Sequence, residues 1–185
     1  MTGAVHPKPQ RLRPAVPAVL ALGANLGDRE ATIRAAVAAL DAVPGIRVER
    51  LSSLYETPAL KVDGVDHDAP AYLNAVTGIR TTLGPTALLD AVNAVENDFG
   101  RVRDERWGDR TLDVDIVDFD GRQSHDERLT LPHPRAAERA FVLVPWLDVD
   151  PDAVLPGQGA VAELAARATD TVTLYAPAAD QGDPA

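Results

Sequence analysis

The chain has no cysteine, a single methionine and only 4% aromatic residues. Without cysteine there is no disulfide framework, no thiolate metal site and no cysteine nucleophile. Few aromatics, together with 18 Lys+Arg against 28 Asp+Glu and a formal net charge of −10, argue against a single-stranded nucleic-acid binder. Such a protein stacks bases on exposed rings within a basic surface. The same acidity disfavours attraction to anionic membranes. No apolar run reaches the roughly 18 residues that span a bilayer. No signal-like apolar block accompanies the basic, proline-rich first fifteen residues. There is no phosphate loop ending in Gly-Lys-Ser/Thr, and Gly23-Ala-Asn-Leu-Gly27 lacks the third glycine of a dinucleotide fingerprint. The expectation is a cytoplasmic soluble protein with no nucleic-acid or membrane partner.

What is present is an ordinary globular balance: 185 residues, 45% hydrophobic and 25% charged. This suits one domain. Residues 1–15 read as a flexible arm, broken by prolines at 7, 9 and 14. The domain is expected over 16–176 and a loose tail over 177–185. Val16–Leu22 is a short apolar run that ends in glycine, a buried strand. From Asp28, a plausible N-cap, Ile33, Val37 and Leu40 repeat at helical spacing until Pro44-Gly45. A second strand is expected over 46–55, then a long loop over 56–70, of a length typical of lids or binding loops. A third strand over 71–82 leads to Pro85, suited to a first helical turn, and to the stripe Leu88, Val92, Val95 and Phe99, closed by Gly100. A fourth strand over 110–119 completes the order β-α-β-β-α-β. That order predicts an α+β, ferredoxin-like core with an antiparallel sheet, extra C-terminal helical elements and long lid loops. Both helices would cover one face, leaving the other to the C-terminal third or to a ligand.

The chemistry concentrates at Arg110-Thr-Leu-Asp-Val-Asp-Ile-Val117. Alternation sends Leu112, Val114 and Ile116 to one face and Asp113 and Asp115 to the other, about 6–7 Å apart. Two carboxylates so placed either face solvent or share a hard cation such as Mg²⁺ together with substrate phosphates. The preceding run carries Arg101, Arg103, Arg106 and Arg110 with Trp107 among them. Guanidinium forks bind phosphate oxygens directionally, so the loop is either a phosphate clamp or a set of local ion pairs. Tyr72 and Asn74 share a strand face that suits a flat heterocycle, or equally an ordinary cross-strand aromatic with a polar partner. Asn93 and Glu96 are i, i+3 neighbours flanking the apolar stripe, a pattern common on solvated faces. Prolines on both sides of His133 fix its backbone, and Arg139 and Phe141 follow.

Taken together, Leu20–Gly27, Ser52–Pro58, Tyr72–Val76, Gly100–Ile116 and Leu129–His133 with Arg139 and Phe141 resemble the 6-hydroxymethyl-7,8-dihydropterin pyrophosphokinases of folate biosynthesis. Arg106-Trp-Gly-Asp-Arg-Thr-Leu-Asp-Val-Asp115 is the most specific segment, and the similarity extends over about 19–156. The resemblance implies pyrophosphoryl transfer from ATP to the pterin hydroxymethyl group, releasing AMP; a monomer is expected. It implies that Asp113 and Asp115 bind two Mg²⁺ ions bridging the ATP phosphates, and that Arg101 and Arg110 contact those phosphates. It further assigns Asn93, Glu96, Arg103, Arg106, Trp107, Ile116, Arg128, Thr130, His133 and Arg139 to the ATP site. Tyr72 and Phe141 would sandwich the pterin, with Trp107 and Asp113 beside it, while Asn74 and groups around Thr57, Pro58 and Leu60 read its amide edge. No side chain stands out as general base, and Asp115 or a metal-bound path is open for the proton.

Several residues depart from the family pattern: Ala24 for a frequent serine, Lys61 for a glycine, Asp109 for a proline and Pro134 for an aromatic. Asp109 sets a negative charge beside Arg110, so weaker ATP affinity or altered lid kinetics is expected. Two other readings remain at this stage, a ligand-binding module without chemistry and a metal-dependent phosphohydrolase.

Overall fold

The computed structural model describes residues 13–61, 64–66, 70–100 and 111–177, with 59–61 and 64–66 described through their backbone alone. In chain order these form β1 (Val16–Ala24), α1 (Arg29–Ala42), β2 (Ile46–Leu51), β3 (Tyr55–Thr57), β4 (Ala59–Lys61), β5 (Gly64–Asp66), β6 (Tyr72–Thr81), α2 (Pro85–Asp98) and β7 (Asp113–Phe119). The hairpin β8 (Ser124–His125) and β9 (Thr130–Leu131) follows, then a 3-10 turn over Ala136–Glu138 and α3 (Ala140–Val149). β10 (Val154–Leu155), β11 (Gly159–Ala160), α4 (Val161–Ala165) and β12 (Thr173–Leu174) complete the described chain. No described helix is long and apolar enough to cross a membrane.

The main sheet runs β12-β3-β6-β1-β7, with β2 also paired to β6, and its neighbours are antiparallel. Local chemistry explains the helix boundaries. The Asp28 carboxylate accepts the Ala31 N–H at 3.0 Å, capping α1. The helix ends before Gly45, whose φ of +92° suits glycine. A Cβ there would lie 2.8 Å from Thr82 Oγ1. Pro85 opens α2 and Gly100, at φ +76°, follows its end. The buried stripe of α1 is Ile33, Ala36 and Leu40, with Val37 half-buried at its margin.

Two expectations change. The second strand is broken: β2 and β3 both pair with β6, but Ser52–Leu54 lie between them. At the break the Ser52 hydroxyl accepts the Val76 N–H at 2.9 Å, and the Ser52 N–H donates to Val76 O at 2.9 Å. A side chain thus continues the ladder where the backbone departs from it. The segment expected as a loop over 56–70 contains the end of β3 and the β4–β5 hairpin, in which Leu60 pairs with Val65.

Each face of the sheet is packed. Leu20, Leu22, Leu73, Ile79 and Ile116 join Ile33 and Leu40 of α1 and Leu88 and Val92 of α2 in one cluster. On the opposite face Val76 and Val117 pack with Val142, Leu143 and Trp146 of α3 and Val161 and Leu164 of α4. The C-terminal third therefore covers part of the second face. Gly78 permits this approach: a Cβ there would lie 3.0 Å from Val149 Cγ1.

Candidate active site

The uncovered part of the second face lies where three strands meet in register. Gly23 of β1 pairs with Asn74 of β6 on one side and Asp113 of β7 on the other. Two residues earlier, Ala21 pairs with Val76 and with Asp115. Directly opposed residues share a face, so Asn74 and Asp113 flank a position that has no side chain. A Cβ at Gly23 would lie 3.4 Å from Asn74 Oδ1. Alternation along β7 follows the sequence expectation: Val114 and Ile116 are buried among the helices, while Asp113 and Asp115 are half-buried on the other face.

Asp115 faces two basic groups. Its Oδ2 lies 3.7 Å from His133 Nε2 and 3.7 Å from Arg139 Nη1. The His133 N–H donates to Val117 O at 2.9 Å, which ties the imidazole's backbone to β7. His133 Nδ1 accepts the Arg135 N–H at 3.2 Å, so the neutral ring carries its proton on Nε2, toward Asp115. Burial pushes the His133 pKa below its ordinary value, the Asp115 charge opposes this, and Arg139 and Arg135 reinforce it. The Arg139 guanidinium lies over the Phe141 ring, 5.3 Å from its centroid. Asp170 accepts the N–H groups of Ala140 at 2.9 Å and Phe141 at 3.4 Å, anchoring the start of α3.

Across the row, Asn74 is 6% exposed and donates to Thr57 Oγ1 at 3.0 Å. Tyr72 pairs with Thr57 and shares Asn74's face. The structure therefore places Thr57, Tyr72, Asn74, Asp113, Asp115, His133, Arg139 and Phe141 on elements of one sheet face. Arg128 pairs with Asp90 of α2 at 2.8 Å, Thr130 lies in β9 and Asn93 is half-buried on α2. Two residues differ from a ligand-facing expectation. The Ile116 side chain is 3% exposed within the helix-side core. Glu96 is 1% exposed and accepts the Val114 N–H at 2.8 Å, so it is no solvated-face residue. Arg101, Arg103, Arg106, Trp107, Asp109 and Arg110 lie outside the described residues, as do the side chains of Leu60 and Lys61. Sequence reasoning missed Asp170 and the gap at Gly23. The first acts across 29 and 30 residues without a local signature, and the second emerges only from the strand order.

The family model described as 7,8-dihydro-6-hydroxymethylpterin-pyrophosphokinase matches residues 19–151. The chain belongs to this family. Relatives named 2-amino-4-hydroxy-6-hydroxymethyldihydropteridine pyrophosphokinase include one from Methylorubrum extorquens, 45% identical over 141 residues, 76% of this chain and 87% of the relative. Another, from Bacillus subtilis, is 42% identical over 132 residues, 71% of this chain and 77% of the relative. The fold is similar to that of the Plasmodium falciparum HPPK-DHPS wild type crystallised with pterin and p-hydroxybenzoate. That match has a TM-score of 0.64 and 14% identity, covering 85% of this chain and 44% of that one. The pyrophosphokinase family match runs from within β1 to just past α3, and so includes every site residue above except the anchoring Asp170.

Proposed function

We propose that the chain transfers pyrophosphate from ATP to 6-hydroxymethyl-7,8-dihydropterin, yielding the pterin diphosphate and AMP in folate biosynthesis. The observation that carries this reading is the juxtaposition, on one sheet face, of the Asp113–Asp115 pair with His133 and Arg139, each of the latter 3.7 Å from Asp115. In the reaction the hydroxymethyl oxygen attacks the β-phosphorus and the bond to the α–β bridging oxygen breaks. AMP departs with that oxygen, and the hydroxyl proton is released. Such a nucleophile is weak, so rate must come from alignment and charge neutralisation.

The residues suit that division of labour. Asp113 and Asp115 offer hard oxygen donors beside the gap at Gly23, a donor set that fits Mg²⁺ shared with phosphates. Asp113 and Asp115 would hold the two Mg²⁺ ions expected here, and the bound cations would supply positive charge against the triphosphate. His133 and Arg139 supply donors on the same side, with Arg128, Thr130 and Asn93 toward the nucleotide. Glu96 acts through Val114 rather than on ATP, and Ile116 contributes through its backbone. Arg101, Arg103, Arg106 and Arg110 would grip the phosphates, with the 101–110 segment as a lid that excludes water. Tyr72 and Phe141 would hold the pterin ring, and Asn74 with Thr57, Pro58 and Leu60 its amide edge. Trp107 would close over it.

We read the sheet order as a ferredoxin-like core within one domain over 16–176. We infer a cytoplasmic monomer; among the described residues the large exposed apolar side chains are only Leu26, Val154 and Leu174. The deciding experiment incubates the protein with ATP, Mg²⁺ and the pterin and measures AMP. AMP that forms only with the pterin supports the reading. ADP or free phosphate instead would make the chain a phosphohydrolase or a kinase of another type.

A further inference from the structure

Arg29, at the start of α1, lies on the helix-covered side of the sheet and is absent from the site described above. Its Nη1 donates to Ala71 O at 2.6 Å and pairs with Glu56 Oε1 at 2.8 Å. Its guanidinium also lies 5.9 Å from the centroid of the Tyr175 ring. Glu56 immediately precedes Thr57, and Ala71 immediately precedes Tyr72. One nitrogen thus joins the two stems of the segment that begins after Thr57 and returns at Tyr72. The far side of the junction is closed by the C-terminal part of the chain. Thr173 pairs with Glu56, and the Tyr175 N–H donates to Leu54 O at 2.8 Å. Tyr175 stands beyond the family match, which ends at residue 151.

We infer that Arg29 is a positioning residue for the pterin half of the site, setting the separation of Thr57 from Tyr72 and Asn74 through Glu56 and Ala71; this rests on the function proposed above. Alternation gives the physical route. Glu56 and Thr57 point to opposite faces of β3, so a guanidinium on one face holds the strand that presents the Thr57 hydroxyl to Asn74 on the other. The ion pair is only partly exposed, with Arg29 and Glu56 side chains at 24% and 37%, and the same nitrogen also donates to the Ala71 carbonyl. A shift of the stems would displace the ring contacts, while His133, Arg139 and Asp115 stand on elements Arg29 does not touch. Loss of binding contacts made equally in the ground and transition states raises KM and leaves kcat unchanged.

The test compares steady-state constants for both substrates in wild type, Arg29→Ala, Arg29→Lys and Glu56→Gln. Arg29→Ala is expected to raise KM for the pterin about tenfold while KM for ATP and kcat stay within about twofold. Arg29→Lys should recover part of the loss by restoring the pair with Glu56. Parallel changes in both KM values, no change in the pterin KM, or a lysine variant as impaired as the alanine variant would overturn the inference. Should Arg29→Ala not fold, Glu56→Gln reads the same contact, with the same split expected and the same outcomes against it. A wild type that makes no AMP removes the functional reading and this inference with it. An active wild type with an unaltered Arg29→Ala removes the inference alone.

Discussion

The carboxylate of Glu96 accepts the backbone N–H of Val114 at 2.8 Å, between the two aspartates of β7. β7 ends the sheet on the side opposite β12, so α2 supplies an acceptor that a neighbouring strand would otherwise provide. Glu96→Ala strands a buried donor at a cost of roughly 1–3 kcal/mol, lowering the melting temperature by roughly 2–12 °C. Glu96→Gln retains an acceptor and should lose less. Thermal melts of the two variants beside wild type check the order; an alanine variant as stable as wild type would contradict it.

Asp113→Asn and Asp115→Asn each remove a charge from the half-buried face and leave the helix-side packing of Val114 and Ile116 in place. Turnover to AMP should fall by at least about 10²–10³ with the fold retained. Chelation of divalent cations should silence wild type in the same way. Either variant keeping substantial AMP formation with a native melt would refute the metal-carboxylate assignment.

Thr57→Val deletes the nearer acceptor of the buried Asn74 amide, at 3.0 Å, and leaves it Tyr55 O at 3.5 Å. The expected stability loss is about 1 kcal/mol. Pterin affinity should weaken about tenfold, equivalent to about 1.4 kcal/mol, with nucleotide affinity unchanged. Titration calorimetry with each ligand separately gives the answer, and equal losses for both would count against a pterin-specific role.

Asp118 gives a pH-dependent test remote from the ligands. Burial raises its pKa above the ordinary 3.8 and Asp120 adds to the rise, while the N–H groups of Gly121 and Phe119 oppose it. Its Oδ1 is buried without a hydrogen-bond partner among the described residues. With the folded pKa raised, the folded chain holds the proton to higher pH than the unfolded chain. The favourable contribution is full below the unfolded value and fades as pH rises through the folded one. Asp118→Asn keeps an acceptor for the Gly121 N–H, which donates to Oδ2 at 3.2 Å. It should melt higher than wild type at pH 7, with the gap closing as pH falls through the raised folded value toward the unfolded one. A gap of constant size across that range would exclude the carboxylate as its source.

Much of this was legible from residues alone, and the limits were physical. Pro85 and the Leu88, Val92, Val95 stripe marked α2 because helical spacing is local. Alternation placed Asp113 and Asp115 away from the core because strand period is local as well. Ser52 interrupts the strand expected over 46–55 because its hydroxyl takes a β6 amide 24 residues away, which no window of sequence reveals. Glu96 carried the pattern of a solvated residue; its burial depends on the N–H of Val114, 18 residues on. Gly23 became meaningful only once β6 and β7 were known to flank β1.

Gly78 brings these elements under one mechanical constraint. It lets the end of α3 sit close to β6, and the same end carries Asp148, which receives the Tyr55 hydroxyl at 3.0 Å and the Ser53 N–H at 3.1 Å. The opposite end of that ten-residue rod bears Phe141, directly after Arg139 and Ala140. The missing methyl at Gly78 therefore sets how closely this rod lies on the sheet: a side chain there would press on Val149 and shift the helix that carries Phe141.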